Sequence, residues 1–333
     1  MVTGGCGFIG TNLVSTLKQI ESLGILNVDK ISYASNKLHT KDSANYQFIK
    51  CDVNDKNNMK TVIQNFAPDI IFHLAAETHV DNSINDASPF IKSNICGTFT
   101  LLELVRDYYM KLHGSKREIF RFIHVSTDEI YGSLDLESES FSENSNIEPN
   151  SPYSSSKAAS DLLVRAWNKT YKLPTIITNC SNNYGPFQNN EKLIPKMVFN
   201  LITGQPIPIY GLGQQIRDWL YVSDHVDALI KIANSGKTGE RYNIGSQTEL
   251  KNITVAEEVC DAYDFLMGLE AKTSRKEIHF VEDRLGHDYR YSIDSSKLQT
   301  ELNWEPKREF KEALLETIEN HITDYHSEAV LIR

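Results

Sequence analysis

The residues that most restrict the fold of this chain stand at its start: Met1-Val2-Thr3-Gly4-Gly5-Cys6-Gly7-Phe8-Ile9-Gly10. Glycines at 4, 7 and 10 let a backbone turn tightly out of a strand, approach a pyrophosphate and pack a helix closely on the sheet. The amino terminus of that helix, predicted over 11–20, favours negative charge. Glycine spacing alone is weak evidence. It gains weight because Leu26-Asn27-Val28 reads as a short strand ending in Asp29, about 20 residues past the last glycine, where a ribose-binding carboxylate belongs. Asp29 repels a 2′-phosphate and so favours NAD over NADP, while the adjacent Lys30 leaves that choice open. Only Met1 and Val2 precede Thr3, so either the native start lies upstream or the sheet accommodates a clipped first strand.

A βα rhythm follows. Strands are expected over 46–51, ending at Asp52-Val53, and over 69–74, with a helix over 55–66 between them; this alternation implies a parallel sheet with helices on both faces. The expected fold is α/β, a doubly wound parallel sheet of the Rossmann type with a smaller C-terminal α/β domain. At 333 residues the chain exceeds the usual single-domain length. It divides into a nucleotide-binding domain over 1–182 and a mainly substrate-binding domain over 183–333, some segments of which return to the main sheet.

Composition excludes several functions. A formal net charge of −10 argues against a nucleic-acid surface, which needs a basic stripe. Nothing resembles a membrane span or a secretory leader, so a soluble, cytoplasmic protein is expected. Cys6, Cys51, Cys96, Cys180 and Cys260 form no C-x-x-C pair and read as free thiols, and no metal site is expected. His73 and His79 fit strand-end packing better than metal ligation.

The chemistry concentrates further on. A strand ending near Val125 delivers Ser126-Thr127-Asp128-Glu129-Ile130-Tyr131-Gly132 to a sheet edge where ligands bind in open α/β folds. Adjacent carboxylates there serve as an acid and a base if their surroundings push their pKa values apart; a turn or helix cap uses the same residues. Asn150-Ser151-Pro152 supplies a helix start, which puts Tyr153 and Lys157 one turn apart on one face. Holding a tyrosine as phenolate near neutral pH takes roughly 3 pKa units, and a neighbouring ammonium provides much of that. The Tyr-x-x-x-Lys spacing recurs by chance, but after a dinucleotide fingerprint it is specific.

Between these motifs, Ala75-Ala76-Glu77-Thr78-His79-Val80-Asp81 suits either close approach of a cofactor or an ordinary tight loop. The helix predicted over 89–112 is apolar nearly all round, so it needs cover on more than one side. This predicts a homodimer built on it and on the helix over 153–171. Segment 134–150, rich in Ser, Glu and Asn, reads as an exposed loop, a lid or merely a connection. Beyond it, strands are expected over 174–180, 206–210, 219–222, 242–244 and 278–281, and helices over 223–234, 255–266 and 310–322, with fraying from about 324.

Four runs carry a resemblance: Thr178-Asn179-Cys180-Ser181-Asn182-Asn183-Tyr184-Gly185-Pro186, Glu191-Lys192-Leu193-Ile194-Pro195, Gln215-Ile216-Arg217-Asp218-Trp219-Leu220-Tyr221 and Glu282-Asp283-Arg284-Leu285-Gly286-His287-Asp288. Together with the earlier motifs, the chain resembles the nucleotide-sugar 4,6-dehydratases of the extended short-chain dehydrogenase/reductase superfamily, up to about residue 319. The resemblance implies tightly bound NAD, held by Gly4, Gly7, Phe8, Ile9, Gly10, Asp29, Lys30, Ser32, Asp52, Val53, Leu74, Ala75, Ala76, Ser93, Tyr153, Lys157 and Asn183; relatives often have threonine where Ser93 stands.

It assigns substrate contacts to Thr78, Thr127, Asn182, Lys192, Leu193, Arg217, Asn252, Arg284 and His287. Arg217 and Arg284 suit a diphosphate, since guanidinium forks match phosphate oxygens, and either would also suit a surface ion pair. The implied catalytic set is Tyr153 as base at the sugar C4 hydroxyl, Glu129 as base at C5, Asp128 as acid at the C6 hydroxyl, and Thr127 and Lys157 for orientation and pKa control. The implied substrate is a nucleoside diphosphate glucose, dTDP-glucose favoured over UDP-glucose, dehydrated to the 4-keto-6-deoxy sugar of rhamnose-type biosynthesis. A sister epimerase or decarboxylase shares the glycine turn and the Tyr/Lys pair but has no need of the carboxylate couple. A non-catalytic NAD-binding module needs neither.

Overall fold

The computed structural model of the protein describes residues 1–36 and 38–331, the last five of these without their side chains. Residues 332–333 lie outside the described part of the chain. The first half supplies six strands, β1 (Val2–Thr3), β2 (Ile25–Asp29), β3 (Tyr46–Lys50), β4 (Ile70–His73), β5 (Arg121–Thr127) and β6 (Thr175–Cys180). The second supplies β7 (Asn182–Tyr184), β8 (Ile207–Tyr210), β9 (Ile216–Tyr221), β10 (Arg241–Ile244), β11 (Glu249–Lys251) and β12 (Ile278–Val281). Seven of them form one parallel sheet in the order β10-β6-β5-β4-β1-β2-β3. The strand order reverses between β1 and β4, and the crevice at the carboxyl ends of these two parallel strands is the place a doubly wound sheet offers a ligand.

The short first strand is central nonetheless. Val2 and Thr3 pair with Asn27 and Val28 on one side and with Phe72 and His73 on the other. Helices cover both faces. Leu13, Val14 and Leu17 of Phe8–Lys18 join Val226, Leu229 and Ile232 of Val222–Ser235 in one apolar layer. Met59, Ile63, Leu101, Leu102 and Val105 join Phe120 and Phe122 in the other. Each such side chain contributes on the order of 1.5–3 kcal/mol when fully buried. A third core lies in the second half, where Tyr184, Trp219, Val255 and Leu314 pack beside the smaller sheets β11-β9-β7 and β12-β8.

The two halves interlock. Arg241–Ile244, from the second half, is the outer strand of the main sheet beside β6. Among the described residues no helix is long and apolar enough to cross a membrane.

Some local expectations are corrected. The first helix begins at Phe8, not Thr11, because Gly7 already has extended geometry and releases the chain directly into helix. The helix expected over 89–112 starts at Ser88 and ends at Tyr109, with a π-helical segment at Ile91–Cys96. The last helix runs from Phe310 to Leu331 rather than fraying at 324. Segment 134–150 is anchored to the second half: Leu134 N–H donates to Arg290 O at 3.0 Å, Phe141 N–H donates to Ser292 O at 2.9 Å, and the Phe141 ring stacks on Tyr131.

Helix Pro152–Tyr171, which carries Tyr153 and Lys157, is fixed at its start by a reciprocal cap. Ser151 Oγ accepts the Ser154 N–H and Ser154 Oγ accepts the Ser151 N–H, both at 3.0 Å, with Pro152 at the first helical position. Ser151→Ala is expected to cost about 1 kcal/mol, read as a lower urea midpoint at unchanged slope; an unchanged midpoint would show that the cap contributes nothing.

Candidate active site

One cavity of about 280 Å³ runs along the carboxyl ends of the central strands, walled by the glycine turn at one end and by Lys192 at the other. Every residue expected to hold the cofactor lines it: Gly4, Gly7, Phe8, Ile9, Gly10, Asp29, Lys30, Ser32, Asp52, Val53, Leu74, Ala75, Ala76, Ser93, Tyr153, Lys157 and Asn183. Gly4 has φ +75°, and a Cβ there would sit 2.6 Å from Ala75 N; a Cβ on Gly10 would sit 2.2 Å from Gly4 O. The turn is therefore restricted to glycine by sterics.

Asp29 is fixed at the wall by two backbone donors, Cys6 N–H at 3.0 Å and Ile31 N–H at 2.8 Å. Lys30, whose charge left the choice between NAD and NADP open, is paired with Glu77 at 2.5 Å and donates to Ser93 Oγ at 3.1 Å. Its charge is thereby countered by a carboxylate of the same wall. Glycine cradle, anchored carboxylate and neutralised lysine fit NAD.

At the opposite wall β5 ends in Thr127, whose Oγ accepts the Glu129 N–H at 3.3 Å and turns the chain into the 3₁₀ segment Asp128–Tyr131. Thr127, Asp128, Glu129, Tyr153 and Lys157 thus face one space. Burial, then the neighbouring Glu129 and Asp218, raise Asp128 well above the usual carboxylate range, and its Oδ2 has no hydrogen-bond partner among the described residues. Burial raises Glu129 as well, but Lys192, Arg217 and Arg284 pull it back. The two carboxyl groups are held in different electrostatic surroundings.

The tyrosine and lysine differ from expectation. Burial, reinforced by Glu129, raises the Tyr153 hydroxyl, and the Thr127 hydroxyl lowers it. The Lys157 ammonium donates to Val125 O at 2.9 Å rather than to the phenol. Protein groups alone therefore hold Tyr153 protonated; a phenolate needs positive charge beyond what Lys157 supplies.

Of the expected substrate contacts, Thr78, Thr127, Asn182 and Lys192 line the cavity. The Lys192 ammonium donates to Thr78 O at 2.7 Å, and Leu193 opens the following helix, Leu193–Thr203. Arg217 is buried beside it, its guanidinium donating to the carbonyls of Ile216, Asp288 and Tyr289 and lying 4.1 Å over the Tyr291 ring. Arg284 pairs with Asp81 at 3.4 Å and His287 with Asp283 at 2.6 Å. Asn252 opens helix Asn252–Met267, outside the cavity wall, with a buried Oδ1 that has no partner among the described residues. Sequence reasoning passed over Glu77, Gln188 and Glu191, which also line the cavity. Glu77 stood beside Thr78 in a run already singled out; nothing in the spacing marked Gln188.

A family model described as GDP-mannose 4,6 dehydratase matches residues 1–317. The chain belongs to this family of nucleotide-sugar 4,6-dehydratases, within the extended short-chain dehydrogenase/reductases. Its kinship runs to a particular group: it is 46% identical over 324 residues to dTDP-glucose 4,6-dehydratase of Haemophilus influenzae, covering 96% of each chain. A crystal structure of dTDP-glucose 4,6-dehydratase from Streptomyces venezuelae with NAD bound superposes with a TM-score of 0.88 at 38% identity, covering 98% of this chain and 97% of that one. The Bacillus anthracis dTDP-glucose 4,6-dehydratase in complex with NAD does so with a TM-score of 0.85 at 40% identity, covering 98% and 96%.

The raised Asp128 has a thermodynamic consequence. The folded state keeps its proton to a higher pH than the unfolded chain does, so folding is penalised as pH rises above the unfolded carboxyl value of about 3.9. Asp128→Asn is expected to be more stable than wild type at pH 7, with the difference vanishing below about pH 4. Urea midpoints at the two pH values check this; equal stability at pH 7 would mean that Asp128 is not held protonated.

Proposed function

We propose that this chain is a dehydratase of a nucleoside diphosphate glucose, dTDP-glucose ahead of UDP-glucose, yielding the 4-keto-6-deoxy sugar and water. One observation carries the reading: a hydroxyl-bearing Tyr153 and two carboxyl groups with unlike electrostatic environments open on one cavity that ends at a glycine turn suited to a dinucleotide. An epimerase has no task for the Asp128-Glu129 couple, and a binding module has none for Tyr153 and Lys157 either. The identities to dTDP-glucose enzymes favour that nucleotide.

When bound in this cavity NAD supplies a hydride acceptor, later a hydride donor, and positive charge. Tyr153 takes the proton of the C4 hydroxyl as C4 becomes a carbonyl, with Thr127 aligning the phenol and Lys157 adding charge behind it. The carbonyl then acidifies C5–H. Glu129, kept more acidic than Asp128 by Lys192, Arg217 and Arg284, removes that proton. Asp128, held protonated by burial and by Glu129, protonates the departing C6 hydroxyl, so C6 loses water. As C6 is reduced Glu129 returns its proton to C5, and the proton held by Tyr153 makes good the one Asp128 gave to the water, so the reaction has no net redox change. Lys192, Arg217 and Arg284 supply the cationic rim for the diphosphate, Arg284 exchanging its pairing with Asp81 for it. Asn182, Asn252 and His287 complete the nucleotide site. The two main units of this machinery are 1–182 for NAD and 183–333 for the sugar nucleotide. Catalysis with five unpaired thiols suits the cytoplasm.

Incubation with dTDP-glucose and with UDP-glucose should give the alkaline absorbance of a 4-keto-6-deoxy sugar, faster with dTDP-glucose; silence with both would sink the proposal. Asp128→Asn and Glu129→Gln should each lower turnover by roughly 100-fold or more while NAD still copurifies. Undiminished turnover in either would remove that residue from the mechanism.

The active form is proposed to be a homodimer through 89–112 and 153–171. Ile91, Phe99 and Leu162 on these helices are 46%, 46% and 52% exposed, which leaves an apolar face for a second copy. Sedimentation at micromolar concentration should give twice the chain mass, and a monomer would refute it.

A further inference from the structure

The helix that carries Tyr153 and Lys157 places a third ionisable group one turn further along the same face. Asp161 is fully buried, with no exposed surface. Its Oδ2 accepts from Arg241 at 2.9 Å and from Asn179 Nδ2 at 3.2 Å, and its Oδ1 lies 3.2 Å from His124 Nε2. Arg241 comes from β10, the strand the second half lends to the main sheet, and also donates to Asn179 Oδ1 at 2.6 Å. Asn179 Nδ2 in turn donates to Thr127 O at 2.8 Å. An unbroken set of contacts therefore runs from Arg241 through Asp161 and Asn179 to the peptide that precedes Asp128. None of Asp161, Asn179 and Arg241 lines the cavity.

We propose that Asp161 is a positioning residue of the dehydration: it fixes the Thr127 peptide through Asn179, and it is the buried counter-charge that keeps the Lys157 ammonium behind Tyr153 while Arg241 holds it in place. This rests on the functional reading above. Asp161 is a buried anion paired with the partly buried Arg241 and one helical turn from the buried Lys157, an arrangement that burial tolerates because the anion has cations near it.

The other ionisable groups around Lys157 do not replace Asp161. His73 from β4 and His124 from β5 are both held neutral by burial, His124 at about 4. Burial pushes the Cys180 thiol from β6 far up, so it carries no charge at working pH. Tyr153 is protonated at rest, and Asp128 and Glu129 face the tyrosine from the other side. Burial lowers Lys157, and Asp161 is the first of the groups that oppose this.

The test isolates oxidation at C4, using dTDP-6-deoxyglucose, which has no C6 hydroxyl to lose and so bypasses the acid role of Asp128. Reduced nicotinamide absorbance is followed in single turnovers across about pH 6 to 10 with wild type, D161N, R241Q and the double variant D161N/R241Q. Removing the anion must make the ammonium easier to deprotonate. The alkaline limb of D161N should therefore move at least one unit to lower pH, a loss of roughly tenfold in rate on that limb, with NAD content unchanged. R241Q, which leaves Asp161 to Lys157 alone, should keep the limb at or above its wild-type position.

A purely structural role would weaken both variants without moving their limbs in opposite directions. Should either single variant fail to fold, the double variant, which removes one charge of each sign, decides: its limb should still fall below wild type. A limb coincident with wild type in D161N or in the double variant would overturn the inference. A wild-type protein that oxidised nothing would overturn the functional reading itself.

Discussion

The structure depends on keeping two adjacent carboxyl groups in a buried place at the end of a central strand. Neighbouring carboxylates in a low-dielectric site do not both ionise, so one of them retains its proton unless cations intervene. Here the intervention is unequal. Lys192, Arg217 and Arg284 act on Glu129, whereas Asp128 feels burial, Glu129 and Asp218, with Arg217 the main offset. A pair identical in sequence character thus acquires an acid member and a base member from its surroundings.

Those surroundings are costly to build and explain why the second half of the chain is knitted into the first. Arg217 sits beneath the site because Asp288 and Tyr289 accept from its guanidinium and Tyr291 stacks on it. Asp288 is itself held, accepting from Tyr291 Oη at 2.5 Å and from Asn150 Nδ2 at 2.7 Å, the latter from the cap region of the tyrosine-bearing helix. Arg217 is therefore tied, through Asp288 and Asn150, to the segment that enters the helix of Tyr153. Arg241 repeats the pattern below the sheet, reaching in from β10 to pair with Asp161.

Much of this was legible in the chain itself, for identifiable reasons. Gly4 and Gly10 are forced by backbone contacts that no side chain survives, so the turn is written in residue type. Period-two and continuous apolar runs placed β2, β4, β5 and β6 to within a residue or two, and Ser151-Pro152 marked a helix start that the structure realises as a reciprocal cap. What escaped was set by long-range contact. Nothing local says that Lys157 donates to Val125 O instead of the phenol, because the acceptor comes from a strand 32 residues away. Nothing local in 134–150 says that it is anchored through Arg290 and Ser292. Arg217 read as a diphosphate contact or a surface ion pair, and nothing local says that it is buried with its guanidinium donating to the carbonyls of Ile216, Asp288 and Tyr289.

The central claim is that one tyrosine and two unlike carboxyl groups handle the protons while, with NAD as the hydride carrier, a hydrogen passes from C4 of a bound sugar to C6 and water departs. The most direct measurement uses dTDP-glucose deuterated at C4, with NMR of the product. The account predicts that the deuterium appears at C6 of the 4-keto-6-deoxy sugar within the same molecule. Deuterium released to the solvent, or a product without it at C6, would contradict the account.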